Sequence, residues 1–555
     1  MQQPLNINMR KFFLLVLLFS LYGAACAQIS PNCYWVQFTD KDGTPYSVDR
    51  PREFLSPRAI ERRARYGVAV DELDIPVNES YLNAVAGCGA RLLNPSKWLN
   101  GVTVEVLDDI VLEKLKDLPF VESMRRFEEE PGRAEFQDKF VVENMSMIAE
   151  TNINKVKSDY YGYALTQIEQ LNGIGLHEAG YTGSGILIGV CDGGFSGADE
   201  LELFDAVRDE GRLLGTKDFV GHETVYSGTV HGTSVWGLIA GKLPDLYVGT
   251  APDATFYLCK TENPRTETLI EEYNWVSAAE HLDSLGVDVI STSLSYVDFD
   301  YSSWNHSYSD LDGNTCVITV GAEIASSRGI MCVNSAGNDG ELSWHWIGAP
   351  ADAENVLTVG SVNDYGVRSS FSSVGPTYDG RIKPDVMAQG ERIYVTTSTN
   401  NQFVAGAGTS YSTPVMAGIT ACLMQAMPNK NPVEVRDALR KSADKADNPD
   451  NNYGYGIPDA MKALAILSID ELSDDPNSMI KIFPNPSNGV IFSKICVEGL
   501  CNVKVFDCVG KCLYSNDIQR DNNELDTFLS ELGAGVYIVG ISNDSKKMSM
   551  KIIKY

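Results

Sequence analysis

The sequence predicts an α/β protein whose central unit is a doubly wound, mostly parallel sheet, with a small α/β unit before it and a small β-sandwich after it. Three observations lead there. Residues 162–467 contain short apolar runs that are continuous rather than alternating, as strands buried on both faces require. Helical stretches separate those runs, the arrangement that builds parallel sheets. On either side of this region the pattern changes, which sets it apart as a domain.

The apolar runs are Ile186–Cys191, Thr255–Cys259, Val287–Ile290, Ile330–Val333 and Val356–Val362, and Thr266–Leu285 is one helix between them. They place the central domain at 162–469. Upstream, residues 28–127 mix both element types. Tyr34–Phe38 alternates like a strand, and Ser56-Pro57 opens a helix that runs to Arg65. Trp98–Val106 reads as a second strand and Val111–Leu118 as a second helix. Glu128–Pro131 ends the pattern, and residues 128–161 read as an exposed linker suited to processing. Residues 470–477 form an acidic linker. Beyond it, at 478–555, the β-type runs Val503–Phe506, Gly535–Ile541 and Met548–Ile553 are separated by Gly, Asn and Asp, with no helix-length apolar period.

Composition narrows the function. The 555 residues include 74 acidic and 45 basic side chains, a net charge of −29, and 44% are hydrophobic. That apolar fraction suits globular domains. The charge argues against nucleic-acid binding, which needs clustered Lys and Arg. Nearly all of the excess negative charge lies within residues 128–477. It favours a soluble body, and cationic substrates are the corresponding expectation.

The chain opens with Arg10 and Lys11, an apolar run from Phe12 to Leu21, and Ala25-Cys26-Ala27. This order predicts a secretory signal peptide over residues 1–27. The run is too short to span a bilayer, so no membrane span is expected in the mature form. Of the 12 cysteines, Cys496, Cys501, Cys508 and Cys512 crowd one C-terminal stretch and could oxidise after export, with connectivity open. Cys191, Cys259, Cys332 and Cys422 lie in apolar runs and are read as buried small hydrophobes.

Four segments of the central domain carry chemistry. Asp192 ends the first apolar strand, at the edge where open α/β sheets bind ligands. His231-Gly232-Thr233 opens a helix whose apolar residues Val235, Leu238 and Ile239 face the sheet, which leaves His231 at an exposed first turn. Ser410 follows a glycine-rich approach and precedes an apolar helix. Asn338, in Ser335-Ala336-Gly337-Asn338, can supply the side-chain amide that an acyl-transfer oxyanion needs. Each piece alone is commonplace; together they place acid, base and nucleophile in the order Asp, His, Ser.

Asp192-Gly-Gly, His231-Gly-Thr, Ser335-Ala-Gly-Asn338 and Gly408-Thr-Ser410-Tyr-Ser-Thr-Pro414 resemble the four signature blocks of the subtilisin-like serine proteases, the subtilases. The resemblance implies a subtilisin-like fold and a serine endopeptidase acting on protein or peptide substrates. Its catalytic residues would be Asp192, His231 and Ser410, with Asn338 in the oxyanion hole. Ile290-Ser-Thr-Ser293-Leu294-Ser295 resembles the substrate-binding strand, so Ser293, Leu294 and Ser295, with Ala336 and Gly337, are expected to bind substrate. Two departures stand out: Gly193 replaces the usual Ser or Thr after the Asp, and Tyr411-Ser412-Thr413 is bulkier than usual. No cofactor is expected for the chemistry. Structural calcium is a family trait without an assignable site here, since Asp310-Leu-Asp312-Gly313 reads as a solvated turn.

Residues 28–127 resemble subtilase propeptides, which implies a zymogen; a permanent accessory domain is the alternative. Ile482-Phe-Pro-Asn-Pro486, Gly535-Val-Tyr-Ile-Val539 and Lys551-Ile-Ile-Lys-Tyr555 resemble the sorting domain that Bacteroidetes proteins present to the type IX secretion machinery. That implies passage through the periplasm to the cell surface or medium; an adhesion module is the alternative. Two other functions compete. One is a catalytically silent surface protein that keeps the fold for binding. The other is a lipase or esterase, against which the absence of a Gly-x-Ser-x-Gly elbow around Ser410 counts.

Overall fold

A computed structural model of the chain describes residues 32–127, 160–471, 479–483, 491–497, 499–519, 523–543 and 545–554. The predicted signal segment, residues 128–159 of the first linker, 472–477 of the second and Pro484–Pro486 of the sorting motif lie outside the described residues.

The central domain is built on a seven-stranded sheet in which every neighbouring pair is parallel. From edge to edge its strands are Val386–Gln389, Leu357–Val362, Met331–Ser335, Val289–Thr292, Leu187–Asp192, Thr255–Lys260 and Leu213–Asp218. All five predicted runs are present. The two edge strands carried no comparable signal: Val386–Gln389 is only four residues long, and Leu213–Asp218 is half exposed along its length.

Continuous apolarity has its expected cause. Along Leu187–Asp192, Ile188 and Val190 point to one core with the His231–Ala240 and Thr409–Ala426 helices. Leu187 and Cys191 point to the other, with the Ile270–Leu285 and Val317–Ser327 helices. From this strand the chain goes first to one side of the sheet and then to the other, so a crevice opens beyond its C-terminal end.

The N-terminal unit is a four-stranded antiparallel sheet, ordered Arg91–Ser96, Gly101–Glu105, Cys33–Phe38, Val121–Arg126. Ser56 Oγ caps the Pro57–Tyr66 helix by accepting the Ala59 N–H at 3.1 Å. The predicted strand Trp98–Val106 begins instead with a turn, and a helix at Glu79–Gly87 was not anticipated.

This unit docks on the Ile270–Leu285 helix. Glu280 accepts the backbone N–H groups of Lys97 (2.7 Å) and Trp98 (3.0 Å), and Asn94 Nδ2 donates to Asn274 Oδ1 at 2.8 Å. Asp283 receives Arg62, Arg63 and Lys97 together.

The C-terminal unit is β-rich, with a four-stranded antiparallel sheet and a separate Ile480–Phe483/Phe492–Ile495 pair. It also holds a helix, Asn523–Glu531, which the sequence reading did not foresee. Leu525 and Leu529, four residues apart, bury one face of it, a short signal among β-type runs. Likewise the Ala460–Glu471 helix extends into the start of the predicted second linker.

Cys191, Cys259, Cys332 and Cys422 are buried as expected, and all the described cysteines are free thiols. No helix among the described residues is long and apolar enough to cross a membrane.

Candidate active site

Asp192 is the last residue of the Leu187–Asp192 strand and is fully buried. His231 is the first residue of the His231–Ala240 helix, where Thr229 Oγ1 accepts its backbone N–H at 3.2 Å. His231 Nδ1 lies 2.9 Å from Asp192 Oδ2 and 3.0 Å from Oδ1. The ring is not at an exposed turn, as its position in the sequence suggested, but only 5% exposed. The reason is that helix and strand meet closely: a Cβ on Gly232 would lie 2.4 Å from Gly194 O and 3.0 Å from Asp192 Cβ.

The missing hydroxyl after Asp192 has a substitute. The Gly193 N–H donates to Asp192 Oδ1 at 2.7 Å, so the carboxylate is held by the backbone. The first turn beyond a strand offers such free donors, which a residue-type reading overlooks.

Ser410 is the second residue of the Thr409–Ala426 helix, inside it rather than just before it as the sequence reading had it. It lines a cleft of about 310 Å³ together with His231, Asn338 and Ser293–Tyr296. In the first turn of a helix, backbone N–H groups have no intrahelical acceptor, so the Ser410 N–H stands in the right class for an anion. Asn338 Oδ1 accepts the Thr409 N–H (2.9 Å) and Oγ1–H (3.0 Å), which orients the amide. Its Nδ2 faces Gly408: a Cβ there would lie 3.8 Å from Asn338 Nδ2 and 2.9 Å from Ser410 Oγ. Thr409 thus positions Asn338, a role that its place between Gly408 and Ser410 did not reveal.

Tyr411, the bulky departure in the nucleophile block, is buried with its ring centre 5.7 Å from that of His231. Burial pushes its hydroxyl pKa well up, so it remains a neutral wall beside the imidazole.

Of the expected substrate-binding residues, Ser293, Leu294, Ser295 and Gly337 line the same cleft, while Ala336 is fully buried behind it. Ser293 Oγ donates to the Ser410 carbonyl at 2.7 Å, Ser335 Oγ donates to Leu294 O at 2.8 Å, and the Ala336 N–H donates to Val359 O at 3.0 Å. Gly337 has φ +106°, a conformation suited to glycine.

Glu262 and Glu267 also line the cleft and were not singled out in the sequence. With Glu271 they bring carboxylate oxygens within 4.8 Å of one another. Glu271 accepts the Asn263 N–H (2.8 Å) and Thr268 N–H (3.1 Å), and Glu262 accepts the Tyr296 hydroxyl. Asp310 and Asp312 accept donors within their own turns, as a solvated-turn reading expects.

Comparison with known proteins matches all three parts of the chain. The Subtilase family profile matches residues 183–456, and a profile described as a Peptidase S8 propeptide domain of Bacteroidota matches 33–139. A third profile, a secretion system C-terminal sorting domain, matches 481–555.

Over 313 residues the chain is 31% identical to Serine protease AprX of Bacillus subtilis (strain 168), covering 51% of this chain and 67% of that protein. It is 30% identical to Subtilisin NAT of Bacillus subtilis subsp. natto over 348 residues, 59% of this chain and 82% of the relative. It is 32% identical to Subtilisin of Bacillus pumilus over 281 residues, 50% and 90% of the two chains.

The sorting domain marks the protein for type IX secretion to the cell surface or extracellular space, and the propeptide marks it as a zymogen. A buried Asp–His pair on the cleft that holds a helix-borne Ser, together with these matches, makes the chain a serine endopeptidase of the subtilase family.

Proposed function

We propose that Asp192, His231 and Ser410 carry out the hydrolysis of peptide bonds, with Asn338 Nδ2 and the Ser410 N–H holding the oxyanion. The observation that carries this reading is the 2.9 Å contact between His231 Nδ1 and Asp192, on the cleft that Ser410 lines. With its Nδ1 proton donated to Asp192, the imidazole leaves Nε2 as the base. Ser410 Oγ attacks the scissile carbonyl carbon while its proton passes to Nε2, and the carbonyl π electrons move to oxygen. Collapse of that oxyanion expels the amine, which takes the proton back from Nε2. Water then repeats the sequence on the acyl-enzyme and frees Ser410. Asp192 stays ionised throughout and stabilises the transient imidazolium.

An extended substrate would add as a strand along Ser293–Ser295, with Ala336 and Gly337 forming the opposite wall. Residues 28–127 would act as the inhibitory unit and 128–161 as the region cut on activation, with 162–469 the catalytic domain and 478–555 the sorting module. Calcium fits poorly at the Glu262–Glu267–Glu271 cluster and at the Asp310–Gly313 turn. Glu271 uses both oxygens on backbone donors, Glu262 accepts Tyr296, and Asp312 braces its own turn, so these carboxylates are already engaged, whereas calcium takes six to eight oxygen ligands. The chemistry proposed uses protein groups alone.

Labelling of the secreted, processed protein with a fluorophosphonate tests the assignment. Label on the wild type and none on Ser410→Ala is expected; equal label on both overturns it.

A further inference from the structure

Beside Ser410 the cleft has a slot lined by Ser293–Tyr296 on one segment and by Ser335, Gly337 and Asn338 on another, with Gly348 packed against Ser295. The segments are tied together. Tyr296 and Ala349 exchange backbone hydrogen bonds of 2.9 and 3.0 Å, and the Gly348 N–H donates to Ala336 O at 3.3 Å. Ser335 Oγ and Asn334 Nδ2 both donate to Leu294 O. These bonds set the width of the slot, and a close-packed surround of this kind yields little.

One side chain projects into the gap. A Cβ on Gly348 would lie 2.2 Å from Ser295 Oγ, and a Cβ on Gly337 would lie 2.9 Å from the same atom. The hydroxyl therefore occupies the space between two glycines. It is buried and makes no hydrogen bond within the described protein, an arrangement that disfavours the folded state. Hydrogen bonding does not account for a serine here; the volume it fills has a use.

We propose that Ser295 sets the upper size limit for the substrate side chain on the acyl side of the scissile bond, so that the enzyme selects Gly, Ala or Ser at that position. The inference rests on Ser410 and Asn338 acting as proposed above. A substrate carbonyl held between Ser410 and Asn338 directs the side chain of its own residue into the adjoining slot, whose walls begin at those residues. A short side chain fits above the hydroxyl. A long or aromatic one must displace Ser295 or part walls that are pinned on three sides.

The test compares two chromogenic peptides that differ only in Ala or Phe before the scissile amide. They are assayed on the secreted, processed enzyme as wild type, Ser295→Ala and Ser295→Gly, with active sites counted by fluorophosphonate titration. The wild type is expected to favour Ala by tenfold or more in kcat/KM, since about 10–200-fold attends even one methylene in a fitted pocket. Ser295→Gly should shift the Phe/Ala ratio toward Phe by about tenfold or more, with Ser295→Ala between. A wild type that favours Phe, or a ratio that neither variant moves, overturns the proposal. Those results on a titratable enzyme leave the Ser410 assignment intact. A wild type that takes no fluorophosphonate fails that assignment instead, and the size-limit proposal falls with it. Should Ser295→Gly not fold, Ser295→Ala and the wild-type ratio still decide the matter.

Discussion

One guanidinium nitrogen of Arg63 meets both carboxylate oxygens of Asp283, at 3.0 and 2.9 Å, with neither side chain more than 1% exposed. The two residues belong to different units, the propeptide and the catalytic domain. Arg62 and Lys97 reach the same carboxylate, while Asp74 shares Arg63. Three buried cations of the propeptide therefore depend on two buried carboxylates, and Arg328 of the catalytic domain reaches Asp74 as well.

Asp283→Ala is expected to cost the zymogen about 3–5 kcal/mol, because removal of one partner leaves buried charge uncompensated. Once the propeptide has left, Asp283 has no cations of that unit to pair with, so the mature enzyme should lose far less. Thermal unfolding of both forms checks this; equal losses would show that the cluster does not hold the propeptide in place.

The residues proposed for the chemistry were legible because their motifs are short and bound to element ends. Asp192 at a strand end and His231 at a helix start need only local pattern, and both lie where that pattern puts them. Contacts that join distant segments were not legible. Asp283 and Glu280 belong to no motif, yet both are buried where the propeptide docks, with Arg63 and the Lys97 N–H as partners. Gly348 had no motif at all; its importance comes from Ser295, 53 positions earlier in the chain. Gly193 shows a third kind of gap, since a backbone N–H replaced the side chain that was thought to be missing.

Asn338→Ala should lower kcat by about 10²–10³ with little change in KM, since the amide is placed to act on the developing charge. Thr409→Val removes one of the two donors that hold Asn338 Oδ1. It should cost a smaller factor, up to about tenfold, in keeping with one neutral hydrogen bond. Steady-state kinetics on titrated enzyme distinguish the two; a Thr409→Val loss as large as that of Asn338→Ala would contradict its positioning role.

Gly232→Ala tests the approach of the His231 helix to the Asp192 strand. The new methyl would start 2.4 Å from Gly194 O and 3.0 Å from Asp192 Cβ, so backbone must move. Overpacking of this kind costs about 1–3 kcal/mol. It also separates His231 from Asp192, so kcat should fall along with the melting temperature. A destabilised enzyme with unaltered kcat would mean that the pair tolerates the displacement.

Acid should loosen the zymogen in two separable steps. Burial lowers the pKa of His281 from 6.5 to about 4, with Lys217 and Lys97 adding to the effect. The unfolded chain therefore binds a proton that the folded one refuses across that interval. The stability present above pH 6.5 is lost as pH falls to about 4, roughly 3 kcal/mol in all. Asp283 acts lower. Burial pushes its carboxyl up, but Lys97, Arg62 and Arg63 outweigh that and hold it below the ordinary 3.8. Its share of the stability is intact above pH 3.8 and disappears as pH falls through the depressed folded value. His281→Gln should flatten the upper step and leave the lower one, while Asp283→Asn should do the reverse. Zymogen melting temperatures measured from pH 7.5 to 3 read both, and a single step unaffected by His281→Gln would remove the histidine from the account.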